Sequence, residues 1–241
     1  MVKKIEKWYF ESAEYYWWLK GRRDLVYRFI KKVKGKHLKI LDVGCSCGTL
    51  VEKLEKNKSY DVYGIDNSKY AVQKCIEKRL KNVKLGNAVK LPYKNNFFDV
   101  VIASDVLEHI KSDKEALEEC KRVLKRHGYL IIGVPAFSSL WSRLDSYKEH
   151  KRRYDKVNLI KLIESIGMKT SFITYWNFFS FLPITIIKIL MKNEKINYEK
   201  RLVPKPVNEL LLLLLKIENI LIINYGIKLP FGISILTILK K

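Results

Sequence analysis

Apolar and polar positions divide this chain into two regimes. Between residues 38 and 135, short apolar runs alternate with stretches whose apolar side chains return every three or four positions. That is the pattern of strands followed by helices. Segments 39–43, 61–66, 83–86, 98–103 and 129–134 read as strands, and 51–55, 69–81 and 113–124 as helices, the last stopped at His127-Gly128. Strands alternating with helices predict a parallel sheet. Ahead of them, 5–33 has helical spacing and an aromatic cluster of Trp8, Tyr9, Phe10, Tyr15, Tyr16, Trp17 and Trp18, so 1–37 is expected to form a helical cap.

After about residue 157 the pattern changes. A helix over 158–166 ends at Gly167, 169–175 reads as a strand, and 232–239 as the terminal strand. The segment 177–228 between those strands holds two very apolar blocks, 178–191 and 210–223, joined by a basic stretch over 192–205. On the second block Glu209, Lys216 and Asn219 make one narrow polar stripe, so most of its circumference is apolar. Such a helix is buried or meets lipid. Pro183, Lys188, Lys216 and Glu218 interrupt the apolar stretches and argue against a membrane span. A lid over a cleft and an interfacial element both remain open. With no repeat or low-complexity linker, a single domain over 1–241 is expected.

The stretch Leu38-Lys39-Ile40-Leu41-Asp42-Val43-Gly44-Cys45-Ser46-Cys47-Gly48-Thr49-Leu50 carries the most chemistry. A buried strand ends in a glycine loop that runs directly into a helix, the ligand corner of a doubly wound sheet. Gly44 and Gly48 let backbone approach a ligand where a Cβ would clash. Ser46 and Thr49 break the dinucleotide fingerprint G-x-G-x-x-G, and the phosphate-cradling P-loop is absent. What remains, D-x-G-x-x-x-G, resembles the first motif of class I S-adenosylmethionine (SAM)-dependent methyltransferases. Ser104-Asp105-Val106-Leu107-Glu108-His109-Ile110 resembles the segment that follows their fourth strand. With Leu91-Pro92, Phe97-Phe98-Asp99 and 124–130, the likeness runs almost unbroken over 38–135. The chain is identified by it as a member of the Methyltransferase-11 (UbiE/UbiG-like) type.

That resemblance implies a doubly wound, seven-stranded Rossmann-like sheet, here with an apolar helical insertion before the last strand. It also implies SAM as cofactor, with 38–135 as the binding core. Asp42 and the backbone of Gly44, Cys45, Ser46 and Gly48 would meet the methionine part. Asp66, followed by Asn67, would accept the ribose hydroxyls, since a carboxylate offers two oxygens to two donors. A helix N-cap is the competing role for Asp66, one that Asn67 or Ser68 could fill instead. Gly86-Asn87-Ala88 resembles the family's Gly-Asp-Ala, whose acid receives the adenine amino group; the Asn87 oxygen can accept that bond without the charge. Ser46 stands where a third glycine is frequent, and Ser104 closes the fourth strand. The leader resembles an opening in which an arginine binds the methionine carboxylate, which suits the fork of Arg22 or Arg23. Arg152, Arg153 and Tyr154 resemble a segment on the substrate side of the cleft.

Methyl transfer is an in-line displacement in which the protein orients the acceptor and excludes water. If the acceptor is a hydroxyl, His109 or His150 is the natural base. Asp105, Glu108 and His109 are close in sequence but lack an obvious partner set, so no metal site is expected. The formal net charge of +22, from 47 Lys+Arg against 25 Asp+Glu, draws anionic partners or is simply solvated charge spread along the chain. The basic stretch beside the apolar blocks suits anionic lipid heads. A small or lipid-linked acceptor is expected, with O- or C-methylation. RNA is the rival acceptor, and no RNA-binding module appears; a non-catalytic SAM-binding protein is the rival outside the enzymes. The four cysteines have no zinc or secreted-type spacing. The start of the chain lacks a signal-peptide core, so a cytoplasmic location is expected, with contact at the inner face of the cell membrane.

Overall fold

Seven strands form one sheet in the order β3-β2-β1-β4-β5-β7-β6. The computed structural model describes residues 10–190 and 203–241. The strands are β1 (Leu38–Val43), β2 (Tyr60–Asp66), β3 (Val83–Leu85), β4 (Phe98–Ser104), β5 (Leu124–Pro135), β6 (Lys169–Trp176) and β7 (Ser234–Lys240). The first five run parallel, while β7 lies antiparallel between β5 and β6. From β1 the chain moves outward through β2 and β3, then returns to lay β4 on the other side of β1. That reversal opens a crevice at the strand tips between β1 and β4, where open α/β sheets take their ligands.

The alternation of side chains on each strand divides the core in two. Ile40, Val100 and Ile102 pack on one face, with α1 (Trp17–Ile30), α2 (Thr49–Glu55) and α3 (Lys69–Glu77). Leu41, Val101 and Ala103 pack on the other, with α4 (Asp113–Val123) and α6 (Lys156–Ser165); the short α5 (Arg143–Tyr147) lies between those two in sequence. Burial on both faces is why these strands read as nearly continuous apolar runs. One boundary differs from expectation. The helix of 113–124 stops at Val123 and β5 starts at once, so His127 (φ 64°) and Gly128 lie inside an irregular stretch of β5 where pairing shifts between Phe98 and Val100.

Helices α7 (Phe181–Leu190) and α8 (Lys205–Tyr225) fall between β6 and β7. The single polar stripe expected on the second block is not how α8 sits. Asn208, Glu218 and Asn219 are buried, whereas Glu209 and Lys216 are exposed. The buried three bond to α1 and to the end of β6. Asn208 accepts from the Trp17 amide (3.0 Å) and donates to the Tyr15 carbonyl (2.9 Å), at the start of α1. Asn219 donates to the Gly21 carbonyl (2.9 Å) and to Asp24 (3.0 Å), and accepts from the Trp176 indole (2.9 Å). Gly21 makes the approach possible, since a Cβ there would stand 2.4 Å from Leu215 Cδ1. With Asn208, Glu218 and Asn219 turned inward, α8 turns Leu210, Leu213 and Ile217 to the outside. The aromatic residues Trp8 and Tyr9, and the basic stretch from Lys192 through Lys195, Lys200 and Arg201, lie outside the described residues.

Glu218 closes the end of β6. Its two oxygens accept from the amides of Asn177 (2.6 Å) and Phe178 (3.0 Å). Burial outweighs those bonds and pushes its carboxyl up to about 7. Removing it orphans two amides, so Glu218→Ala should lower unfolding free energy by about 1–3 kcal/mol at pH 5 in urea denaturation. The folded pKa lies above the unfolded one, so Glu218 takes stability away as pH rises from the ordinary carboxyl range through 7. The cost of the substitution should therefore shrink at pH 8.

Candidate active site

The loop after β1 is held by the tip of β2. Gly44 and Gly48 both have φ of +70°, and a Cβ on Gly44 would stand 2.3 Å from Val106 Cγ2 in the loop after β4. Only glycine lets these two loops meet. Ser46, in place of a frequent third glycine, also adopts the left-handed region (φ 50°). Its amide donates to Asp66 Oδ2 (2.8 Å), and the Ser68 amide donates to Oδ1 of the same carboxylate (2.9 Å). The Ser68 hydroxyl caps α3 by accepting from the Ala71 amide (3.1 Å), so Asp66 is not the N-cap. A carboxylate oxygen can accept more than one hydrogen bond, so these amides do not by themselves exclude a ligand hydroxyl.

A cleft of about 720 Å³ lies above these loops. Asp42, Gly44, Cys45, Ser46, Asp66, Asn67, Asn87, Ala88, Ser104, Arg22, Arg23, His109, His150 and Arg153 all line it. Three residues selected from sequence do not. Gly48 is the N-cap of α2. Arg152 and Tyr154 turn away to Asp113 at the start of α4, through an ion pair (2.5 Å) and a hydroxyl bond (2.8 Å) respectively. They brace a helix rather than face a substrate. Arg153 borders the cleft, but its guanidinium is spent on the Ala136 and Phe137 carbonyls and on Asp145, so it too is structural.

Arg22 reaches across to pair with Asp105, and Arg23 donates to the Ala13 carbonyl and to Thr49 Oγ1 (3.3 Å). Burial pushes Asp42 up to about 7, with Arg22 opposing and Asp66 adding to the shift. Asn87 Oδ1 accepts from the Val89 amide (3.1 Å), so the adenine bond expected of it would use that oxygen's remaining lone pair. The thiols of Cys45 and Cys75 pack under the loop, where the Cys75 Sγ donates to the Ser46 carbonyl (3.2 Å). Both cysteines are free.

The loops after β4 and β5 supply a second group. Glu108 and His109 occupy a 3-10 turn, Leu107–His109, and the Lys151 amide donates to the Glu108 carbonyl (2.6 Å). That main-chain bond carries His150 to within 4.7 Å of His109, ring centroid to ring centroid, at 88°. His150 Nδ1 bonds to buried Asp145 (3.1 Å), leaving Nε2 as its other ring nitrogen. Burial and the neighbouring His150 push His109 down to about 3; burial lowers His150 too. A histidine held at about 3 is a weak base near neutrality. Burial pushes Glu108 up to about 7. Asp145 escaped the sequence reading, although Ser142-x-x-Asp145 is a capping-box spacing, and the structure forms that box.

Residues 41–132 match the Methyltransferase-11 family, described as a methyltransferase domain. The uncharacterized protein MJ1123 of Methanocaldococcus jannaschii is 28% identical over 176 residues, 70% of this chain and 78% of that one. A demethylmenaquinone methyltransferase of a Geobacillus strain is 36% identical over 121 residues, 47% of this chain and half (50%) of its own length. Among solved structures, a SAM-dependent methyltransferase from Archaeoglobus fulgidus superposes with a TM-score of 0.62 at 21% identity, covering 97% of this chain and 99% of that one. Glycine loop, strand order and matched residues agree: residues 41–132 are a methyltransferase domain of the Methyltransferase-11 family, in a chain with the fold of SAM-dependent methyltransferases.

Proposed function

We propose that the acceptor is a lipid-linked or otherwise apolar molecule, met at an anionic membrane surface, and that methyl transfer goes to its oxygen or carbon. Bound SAM supplies an electrophilic methyl carbon on a sulfonium centre. Asp66 would accept the ribose hydroxyls, Asn87 the adenine amino group, and Arg22 or Arg23 the methionine carboxylate. The glycine loop lets its backbone lie against the ligand, and the cap residues Tyr16, Trp17 and Trp18 line the cleft and keep water out.

The observation that carries the acceptor class is the outward apolar face of the insertion. Leu182 (65% exposed) on α7, and Leu210 (56%) and Leu213 (54%) on α8, are open to solvent, with Ile186, Val207 and Ile217 beside them in sequence. Ile184 of α7 also lines the cleft, which connects that face to the site. None of the α8 side chains lines the cleft, which favours an interfacial element over a lid. Among the described residues no helix is long and apolar enough to cross a membrane. Contact would therefore be peripheral, with the basic stretch over 192–205 supplying cations to anionic heads. The quinone-type acceptor named for the Geobacillus relative fits this class. RNA, the rival suggested by the +22 charge, would not use an apolar face.

Calorimetry should show SAM binding in the micromolar range. Asp66→Ala should weaken it by about 1.5–3 kcal/mol, because two hydroxyls lose a charged acceptor and the Ser46 amide loses its anchor. No binding by the folded wild type would reject the cofactor assignment.

The protein should co-sediment with anionic vesicles and much less with neutral ones. Serine at Leu210, Leu213 and Ile217 should abolish this while SAM affinity stays intact. Glutamine at Lys192, Lys195, Lys200 and Arg201 should reduce it, by about 1 kcal/mol for each cation near the surface, in a salt-dependent way. Absence of binding at every lipid composition would overturn the membrane half of the proposal.

A further inference from the structure

Glu108, His109 and His150 each present a ligand-type atom to the cleft, and these atoms lie within 4.8 Å of one another. We propose that they form a site for a divalent transition metal, with two imidazole nitrogens and one carboxylate, beside the methyl-transfer cleft.

Three observations point to a cation rather than to internal hydrogen bonding. Glu108 is 1% exposed, yet its Oε2 has no hydrogen-bond partner among the described residues. A buried carboxylate oxygen left unpaired is costly, and a coordinated cation removes the cost. His150 gives Nδ1 to the Asp145 carboxylate, which fixes its tautomer and turns Nε2 into the ligand atom. Metal-binding histidines are oriented in the same way by a second carboxylate. The turn holding Glu108 and His109 is tied by the Lys151 amide to the segment bearing His150, so the three groups share one braced frame.

The donor set names the class of ion. Two nitrogens and one oxygen suit zinc, manganese, iron, cobalt or nickel, whereas calcium and magnesium require more oxygens. Bonds of about 2.0–2.2 Å bring ligand atoms closer than 4.8 Å, so small rotations of the side chains complete the set. Lys148 and Arg153 lie close by, and their charge keeps affinity modest. Three protein ligands leave coordination positions open.

The consequence for the acceptor rests on the methyl-transfer reading; the metal site does not. An open position would take an acceptor hydroxyl and ease loss of its proton to water. The oxygen lone pair then forms the bond to the methyl carbon while the C–S electron pair stays on sulfur. His109 and His150 are in this view ligands, in place of the free base expected from sequence.

The test uses the full chain, stripped with chelator and titrated by calorimetry with Zn²⁺ and, for its absorption bands, with Co²⁺. Each sample is then titrated with SAM. One equivalent of metal should bind, with affinity about 10–100-fold weaker in Glu108→Gln and in His150→Ala, and SAM should still bind both variants. No stoichiometric metal, or equal affinity in wild type and both variants, overturns the site. SAM binding without metal leaves the methyltransferase assignment standing and defeats only this inference. Metal binding that follows the variants in a chain that takes no SAM supports the site and defeats the other.

Discussion

Everything at the cofactor corner depends on one carboxylate. Asp66 ends β2 and receives amides from both Ser46 and Ser68, so it ties the loop after β1 to the loop after β2. A charge-assisted bond to a backbone amide is stronger than a neutral one. It holds Ser46 in a left-handed conformation that a side chain resists. The same carboxylate is then presented to the cleft, already oriented. Loop shape thus rests on one residue at the cleft, and the Ser46 departure from glycine is tolerated because Asp66 holds it.

The second constraint is the docking of α8 on α1. Asn208 and Asn219 satisfy carbonyls and amides along α1, while Glu218 takes the amides that follow β6. Those groups sit in otherwise apolar surroundings, where unpaired they would be expensive. Satisfying them sets the rotation of α8. Rotation in turn decides which leucines face water, so the exposed apolar stripe follows from three buried polar side chains. Leu212, Leu215 and Ile222 are buried with them, so hydrogen bonding and apolar burial fix the same orientation.

The cleft has two chemically distinct sides. The loops of β1 to β3 carry Asp66 and Asn87, suited to hydroxyl and amino groups. The loops of β4 and β5 carry a buried carboxyl and two imidazoles, held together by a main-chain bond between Lys151 and Glu108. Burial shifts all three toward neutral forms. The same desolvation makes the histidines poor proton acceptors. Arg152 and Tyr154 bind Asp113 and fix the start of α4 against that wall.

The centre of the sheet was legible in the chain because strands buried on both faces, β1 and β4 above all, are nearly continuous apolar runs. The more polar β3 and β6 were marked by their place in the alternation, and the tip residues Gly44, Asp66 and Asn87 followed from local motifs. The exception, around His127, came from reading a left-handed kink as a helix stop, which local propensity alone does not distinguish. Long-range packing decided the rest. Arg152, Arg153 and Tyr154 form a contiguous, reactive-looking segment, but their partners Asp113, Asp145 and the 136–137 carbonyls come from other elements. His150 joins Glu108 and His109 across about forty residues of sequence. The polar residues of α8 could be counted in advance, but not their inward rotation. Short-range patterning determines which elements form, because periodicity is local; which side chains meet depends on contacts between residues far apart in sequence, and those exist only in the folded chain.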